Sequence, residues 1–88
     1  MPAEDRQRID RWLWHARLVR TRGAAAALAD AGYVRVNGAR IAAPSRQVRT
    51  GDVVTVALDR RARVLKVRGF VERRGPAGTA LELYEDLT

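Results

Sequence analysis

The chain has 88 residues, of which 47% are hydrophobic, and a formal net charge of +7 at neutral pH. It contains no cysteine, which excludes disulfide bonds, thiolate metal sites and thiol nucleophiles. No apolar stretch approaches the roughly 20 residues of a membrane-spanning helix, and the N-terminus lacks the apolar segment of a signal peptide. We therefore expect a folded cytoplasmic domain without membrane attachment.

The positive charge is concentrated in the first half of the chain. Residues 1–50 contain ten arginines and four acidic residues, whereas residues 51–88 contain seven basic and six acidic residues. A one-sided cationic surface on a small domain indicates a polyanionic partner. Arginine suits phosphate because its planar guanidinium group donates several hydrogen bonds in a fixed geometry.

The first predicted element is a helix that begins at Ile9. Its apolar residues, Ile9, Leu13 and Ala16, recur at helical spacing, and Trp12 lies at the border of this face. The preceding residues 1–7 are polar, and we expect them to form a flexible leader.

The opposite side of this helix is predicted to be basic. A wheel at 100° per residue places Arg8, Arg11 and His15 in one arc. Arg17 and Arg20 are expected in the last turn, where positive charge interacts favourably with the helix dipole. His15 has no cysteine or carboxylate partner at helical spacing, so we expect it to support the basic face.

Trp14 and Leu18 point away from the apolar stripe of this helix on the same wheel. Trp14 either stacks on a nucleic-acid base or packs beneath another segment of the chain. We favour packing under the C-terminal segment, because a domain of this size rarely leaves two tryptophans exposed.

A second helix is predicted between Thr21, a suitable N-cap, and Gly32, a suitable C-terminal stop. The short alanine side chains let this helix approach the first one closely, which crowds the arginines around the connecting turn. Its buried side is predicted to consist of Leu28, Ala24, Ala25 and Ala31.

The remaining sequence predicts strands and a short terminal helix. Asn37-Gly38 is a strong signal for a hairpin between residues 33–36 and 39–41, because both residues tolerate positive φ. Further strands are expected at residues 53–58 and 62–71. Gly75-Pro76 is expected to open a helix. We expect Leu81, Tyr84 and Leu87 to dock this helix on the sheet.

These elements predict an α+β fold in which two N-terminal helices and a hairpin pack on a small, mainly antiparallel twisted sheet. A short C-terminal helix completes the fold. The predicted organisation is a leader at residues 1–7, a binding domain at 8–75 with its helix-helix-hairpin core at 8–58, and a helix and tail at 76–88.

The residues give no support for catalysis, a metal or a cofactor. Ser45 is the only serine and has no catalytic partner in prospect. The glycines around Pro76 lack the lysine of a phosphate-binding P-loop. The acidic residues Glu82, Glu85 and Asp86 either hold a metal or pair with nearby arginines, and we favour pairing. We expect a noncatalytic monomer.

Several short motifs occur together in the first two thirds of the chain. They are Arg8-Ile9-Asp10 with Leu13, Thr21-Arg22, Gly32, Val34, Val36-Asn37-Gly38, Pro44-Ser45, Val48 and Gly51-Asp52-Val53. In this combination the chain resembles the RNA-binding domain first defined in ribosomal small-subunit protein S-four. That resemblance implies that the two helices and the hairpin form a basic surface for structured RNA.

Two further motifs extend the resemblance over nearly the whole chain. They are Asp10-Arg11-Trp12-Leu13-Trp14 with Ala16-Arg17, and Arg73-Arg74-Gly75-Pro76-Ala77 leading to Leu83-Tyr84-Glu85. Both are similar to the fifteen-kilodalton heat-shock protein family. The family implies binding to ribosomal RNA on a free large ribosomal subunit that carries a stalled nascent chain, with its transfer RNA as a further partner, during ribosome rescue.

The resemblance implies a set of RNA-contacting residues when it is carried over by matching position. The run Ala24–Ala27 departs from the family, because polar or basic residues are often found there. The implied contacts are Arg8, Arg11, Arg17, Arg20, Thr21, Arg22, Asn37, Arg40 and Ser45.

Three alternatives remain open at this point. The chain could act in trans as an accessory module of an RNA-modifying enzyme, since pseudouridine synthases often carry this domain. It could bind DNA instead of RNA. It could also bind a protein through the Trp14 and Leu18 face.

Overall fold

Ten short elements follow one another along residues 5–88, the part of the chain that the computed structural model describes. They confirm the predicted α+β class, with two N-terminal helices, antiparallel strands and a short C-terminal helix. The elements are β1 (Arg6–Arg8), α1 (Ile9–His15), α2 (Arg22–Asp30), β2 (Val34–Val36), β3 (Ala39–Arg40), β4 (Gln47–Arg49), β5 (Val53–Leu58), β6 (Arg61–Val67), α3 (Ala77–Ala80) and β7 (Tyr84–Asp86).

The strands form two antiparallel sheets. A five-stranded sheet has the order β3-β2-β5-β6-β7, and β1 pairs with β4 in a separate two-stranded sheet, which we call the β1–β4 ribbon. Alternate residues of the central strands face the core, and the intervening ones, such as Arg35 and Lys66, are exposed on the outer face. The inward side chains are Val34, Val36, Val54, Val56, Leu65 and Val67.

The N-terminal strand differs from the prediction of a flexible leader over residues 1–7. Residues 1–4 lie outside the described residues, but Arg6 and Gln7 belong to β1, so the prediction is wrong for them. Gln7 is buried, and its side-chain amide donates a hydrogen bond of 2.8 Å to the Val71 carbonyl. The polar sequence of this segment does not indicate a strand, because the strand is stabilised by pairing with the distant segment β4.

Helix α1 begins without a side-chain N-cap. The amides of Ile9 and Asp10 donate to the carbonyls of Arg46 and Pro44, at 2.7 and 3.3 Å. The amide of Arg11 donates to the Asp10 carboxylate at 2.7 Å. A loop distant in the sequence therefore satisfies the amides that a helix start leaves unpaired.

Two aromatic side chains of α1 are more buried than the wheel predicts. Trp12 is fully buried rather than at a border: its indole donates to the Gly69 carbonyl at 3.2 Å, and its ring meets Tyr84 edge-to-face. His15 is also buried, although the wheel places it in one arc with Arg8 and Arg11, and its ring lies 5.4 Å from that of Trp14. The reason is that the C-terminal segment covers a second side of this helix.

Helix α1 also ends earlier than predicted, so Arg17 and Arg20 lie beyond its last turn. The amide of Leu18 donates to the Leu13 carbonyl, and the amide of Arg17 donates to the Trp14 carbonyl, which is a Schellman motif. Arg17 occupies the left-handed position of this motif, with φ of 60°. That position favours glycine, so the arginine there is strained.

The predicted ends of α2 are confirmed. The Thr21 hydroxyl accepts a hydrogen bond of 3.0 Å from the Ala24 amide, and Gly32 has φ of 83°. The predicted buried side is only partly correct: Ala25 and Ala29 are fully buried and Leu28 is half-buried, whereas Ala24 and Ala31 are exposed. The stripe facing the core follows the i, i+4 spacing of Ala25 and Ala29.

The C-terminal third contains a strand that the sequence pattern does not reveal. β6 ends at Val67 rather than at residue 71, and β7 pairs with it. The residues that dock the C-terminal segment on the sheet are Ala80 and Leu83, which are buried, and the half-buried Tyr84. Leu81 and Leu87 are exposed, contrary to prediction. Among the described residues, no helix is both long and apolar enough to cross a membrane.

The strain at Arg17 generates a stability prediction. We expect Arg17→Gly to be more stable than Arg17→Ala by about 1 kcal/mol, because only glycine adopts positive φ without steric cost. The measurement is urea denaturation of both variants. At Arg20, which is not among the positive-φ residues, the order should reverse. Equal stability of the Arg17 pair would contradict the strain.

Candidate functional site

A shallow groove of about 580 Å³ lies between the end of α1 and the C-terminal segment. Five arginines line it, and Glu72 is the one carboxylate among its lining residues. We call this feature the basic groove. Its lining residues are Arg11, Trp14, His15, Arg17, Arg22, Glu72, Arg73 and Arg74.

The carboxylate of Asp10 links the arginines at one edge of the groove. It accepts two hydrogen bonds from the Arg8 guanidinium, at 3.0 and 3.2 Å, and lies 3.8 Å from the Arg22 guanidinium. The Asp10 side chain is only 4% exposed, whereas those of Arg8 and Arg22 are 45% and 44% exposed. The buried carboxylate therefore anchors two guanidinium groups that still face solvent.

Arg74 fastens the C-terminal segment to the end of α1. Its guanidinium donates to the carbonyls of Trp14 and Val19, at 3.0 and 3.3 Å, and lies 5.6 Å from the centre of the Trp14 ring. Carbonyls at a helix C-terminus carry partial negative charge and attract a cation. Trp14 is half-buried beneath this segment, and Leu18 packs against the core. Trp14 therefore packs beneath the C-terminal segment, as predicted.

Two other groove arginines are held by backbone carbonyls. Arg11 donates to the Glu72 carbonyl, and Arg17 donates to the Gly75 carbonyl at 2.8 Å. A neutral carbonyl orients a guanidinium group without cancelling its charge. These arginines therefore keep their full positive charge for an external anion.

The structure brings together part of the predicted set. Arg11, Arg17 and Arg22 line the groove, and Arg8 joins them through Asp10. Ser45 is exposed in the loop whose carbonyls contact the start of α1, so it lies at the same edge.

Two predicted residues belong to the turn that leads into α2. Thr21 is exposed, but its hydroxyl already caps the helix. Arg20 is exposed, and within residues 5–88 no hydrogen bond or ion pair of the structure fixes its side chain against the groove.

Asn37 and Arg40 are not among the residues that line the groove. Asn37 has φ of 52°, as the hairpin requires. Its side-chain amide donates a hydrogen bond of 3.1 Å to the Asp52 carboxylate, and its side-chain oxygen accepts one of 2.9 Å from the backbone amide of Val53. Its contacts are those of a structural turn residue. Arg40 stands directly opposite Arg35 at the edge of the five-stranded sheet.

Arg73 and Arg74 line the groove but were not among the predicted contacts. The signal for them was the dibasic pair before Gly75-Pro76. The sequence places the C-terminal segment over Trp14 but does not indicate which of its residues reach the groove.

The acidic C-terminus does not neutralise this site. Asp86 pairs with Arg63 at 3.0 Å, on β6. Hydrogen bonds from Thr88, together with the nearby Arg63, lower the pKa of the Asp86 carboxyl below its ordinary value. Across residues 5–88, no group of three histidine or acidic side chains is placed to hold a metal ion.

Comparison with known proteins assigns the chain to a family. The S4 domain family, an RNA-binding module, matches residues 7–54. A solved structure of heat shock protein 15 from Vibrio cholerae, described as trimeric, superposes with a TM-score of 0.86 at 32% identity, covering 93% of this chain and 82% of that chain. The chain belongs to the heat shock protein 15 family of S4-domain proteins.

Other members of these families show the same relationship. Heat shock protein 15 of Escherichia coli strain K12 is 37% identical over 79 residues, which is 90% of this chain and 59% of that protein. This chain therefore spans about three fifths of its length. Small ribosomal subunit protein uS4 of Azorhizobium caulinodans is 39% identical over 72 residues, covering 80% of this chain and 35% of that protein.

The anchoring role of Asp10 can be tested by stability. We expect Asp10→Asn to lower the free energy of unfolding by about 1–3 kcal/mol, because the amide cannot replace the charge-assisted hydrogen bonds from Arg8 or the ion pair with Arg22. Thermal and urea denaturation provide the measurement. Asp30→Asn, which makes the same charge change at an exposed position at the end of α2, should cost nothing. Equal losses in both variants would refute the anchoring role.

Proposed function

We propose that this chain binds structured RNA through the basic groove without catalysis, and that its target is ribosomal RNA. The observation that carries the proposal is the gathering of five arginines, three of them held by backbone carbonyls, along one groove. Membership of the S4-domain and heat shock protein 15 families supports it, as does the similarity to small ribosomal subunit protein uS4.

The proposed mechanism is recognition of the RNA backbone by prearranged guanidinium groups. Arg8 and Arg22 are anchored by Asp10, and Arg11 and Arg17 by carbonyls, so binding an RNA phosphate costs little additional ordering of these side chains. Structured RNA is read mainly through its shape, phosphates and 2′-hydroxyl groups, because its major groove is too narrow for side chains. Binding is therefore expected to show weak sequence preference.

We propose the finer role from the family resemblance. The chain would act in the cytoplasm on a free large ribosomal subunit that carries a stalled nascent chain, and it would lie close to the transfer RNA there. The heat-shock name of its relatives supports a role under stress. The proposed contacts are Arg8, Arg11, Arg17, Arg20, Thr21, Arg22, Asn37, Arg40 and Ser45, to which the groove adds Arg73.

The rival functions make different predictions. A DNA-binding protein would prefer duplex DNA to structured RNA in a filter-binding comparison at equal salt, whereas we expect the reverse. An accessory module would stimulate an RNA-modifying enzyme added in trans. A protein-binding surface around Trp14 and Leu18 would be small, since Arg74 covers Trp14 and Leu18 packs on the core.

The salt dependence of binding tests the phosphate mechanism. If Arg8, Arg11, Arg17, Arg20 and Arg22 each contact one phosphate, the logarithm of the association constant should fall against the logarithm of salt concentration with a slope of roughly −3.5 to −4.5. A further phosphate contact from Arg73 should make this slope steeper by about 0.7–0.9. Fluorescence anisotropy with a structured ribosomal RNA fragment measures it. A nearly flat dependence would contradict phosphate recognition.

Single substitutions test where the contacts lie. Arg11→Gln and Arg73→Gln should each weaken binding to all structured RNAs alike and make the salt slope shallower by about 0.7–0.9. Lys66→Gln makes the same charge change on the outer face of the sheet and should leave the slope unchanged. If Lys66→Gln weakens binding as much as the groove variants, the groove is not the binding surface.

We propose that the chain acts as a monomer. The trimeric Vibrio cholerae relative makes the oligomeric state a useful measurement. Light scattering coupled to size-exclusion chromatography should give a mass near 9.8 kDa. A mass three times as large would overturn the monomer proposal.

A further inference from the structure

The β1–β4 ribbon places two arginines directly opposite each other. Arg6 and Arg49 are paired across the antiparallel strands, and both are exposed. Their neighbours Gln7 and Val48 are also paired with each other and are buried. Because strand residues alternate between faces, the two arginines share the outer face of the ribbon.

Among residues 5–88, the structure gives neither guanidinium of this pair an ion pair or a hydrogen bond. Two acidic groups bond the ribbon, but neither bonds these guanidinium groups: Asp10 accepts from Arg8, and Asp52 accepts from the backbone amide of Arg49 and from the side-chain amide of Asn37. Like charges directly opposite each other destabilise a strand pair. An anion bound between the two guanidinium groups would remove this repulsion.

The outer face of the ribbon continues the edge of the basic groove. Arg8 lies two residues from Arg6 on the same exposed face, which is roughly 6.6 Å along the strand. The guanidinium of Arg8 binds Asp10, which also approaches Arg22 in the groove. The arginines therefore follow one another from the groove onto the ribbon.

We propose that Arg6 and Arg49 form a second phosphate-binding site, which holds one backbone phosphodiester of the RNA that occupies the basic groove. This inference rests on the proposed function and extends its surface beyond the two helices. Two guanidinium groups on either side of one phosphate offer several charge-assisted hydrogen bonds, which are stronger than neutral ones. The ligand relieves a repulsion that the free protein retains.

The test measures RNA affinity and stability in the same variants. Arg6→Gln and Arg49→Gln should each weaken binding of a structured ribosomal RNA fragment by about three- to tenfold. The double variant should lose less than the product of the two single losses, because both arginines hold the same phosphate. Its salt slope should be shallower by about 0.7–0.9, the value for one phosphate. At low salt, each single variant should melt at a higher temperature than the original protein.

Two matched variants separate a site from general electrostatics. Arg49→Lys keeps the charge and should retain most of the affinity. Arg60→Gln removes one exposed arginine from the turn after β5 and should bind RNA normally. Strand β5 extends roughly 17 Å from Val53 to this turn. A loss for Arg60→Gln equal to that for Arg49→Gln would overturn the proposal.

The outcomes distinguish this inference from the proposed function. If the double ribbon variant binds like the original protein while Arg11→Gln weakens binding, the second site is refuted and the groove stands. If neither ribbon nor groove variants weaken binding, RNA recognition by this surface fails as a whole. Weakened binding in both sets, with normal binding by Arg60→Gln, supports both.

Discussion

The carboxylate of Asp10 fixes the positions of the arginines on which the proposed binding surface depends. It is almost fully buried, it holds Arg8 by two hydrogen bonds, and it attracts Arg22 from the start of α2. Without an anion at this point, the crowded guanidinium groups would repel one another. The chain supplies one negative charge internally and leaves the outer sides of the same arginines open to solvent.

Contacts between the C-terminal segment and α1 complete the groove whose arginines Asp10 helps to position. Trp12 bonds the Gly69 carbonyl, and Arg74 bonds two carbonyls at the end of α1. These contacts make α1 a helix covered on two sides and create the second wall of the groove. Four of the five groove arginines are held in place before any ligand arrives, which reduces the entropy that binding must remove.

Local chemistry explains which parts of this structure could be predicted from the sequence. The cap at Thr21, the stop at Gly32 and the Asn37-Gly38 hairpin depend on backbone preferences of a few adjacent residues, and the structure bears them out. Strand β1 could not be predicted, because pairing with a segment some forty residues away defines it. The burial of His15 depends equally on distant packing.

The same division holds for the site. Arg11 could be predicted from the basic arc of the first helix, and Arg17 and Arg22 could be predicted because they lie on either side of the turn between two recognisable helices. Arg73 and Arg74 could not, since the expected packing of Trp14 under the C-terminal segment does not indicate which residues of that segment reach the groove. The most direct test of the account is a nuclear magnetic resonance titration of isotope-labelled protein with a structured ribosomal RNA fragment. The largest changes should fall on the arginine side-chain signals of the basic groove. Changes confined to the outer sheet face around Arg35 and Lys66 would contradict the account.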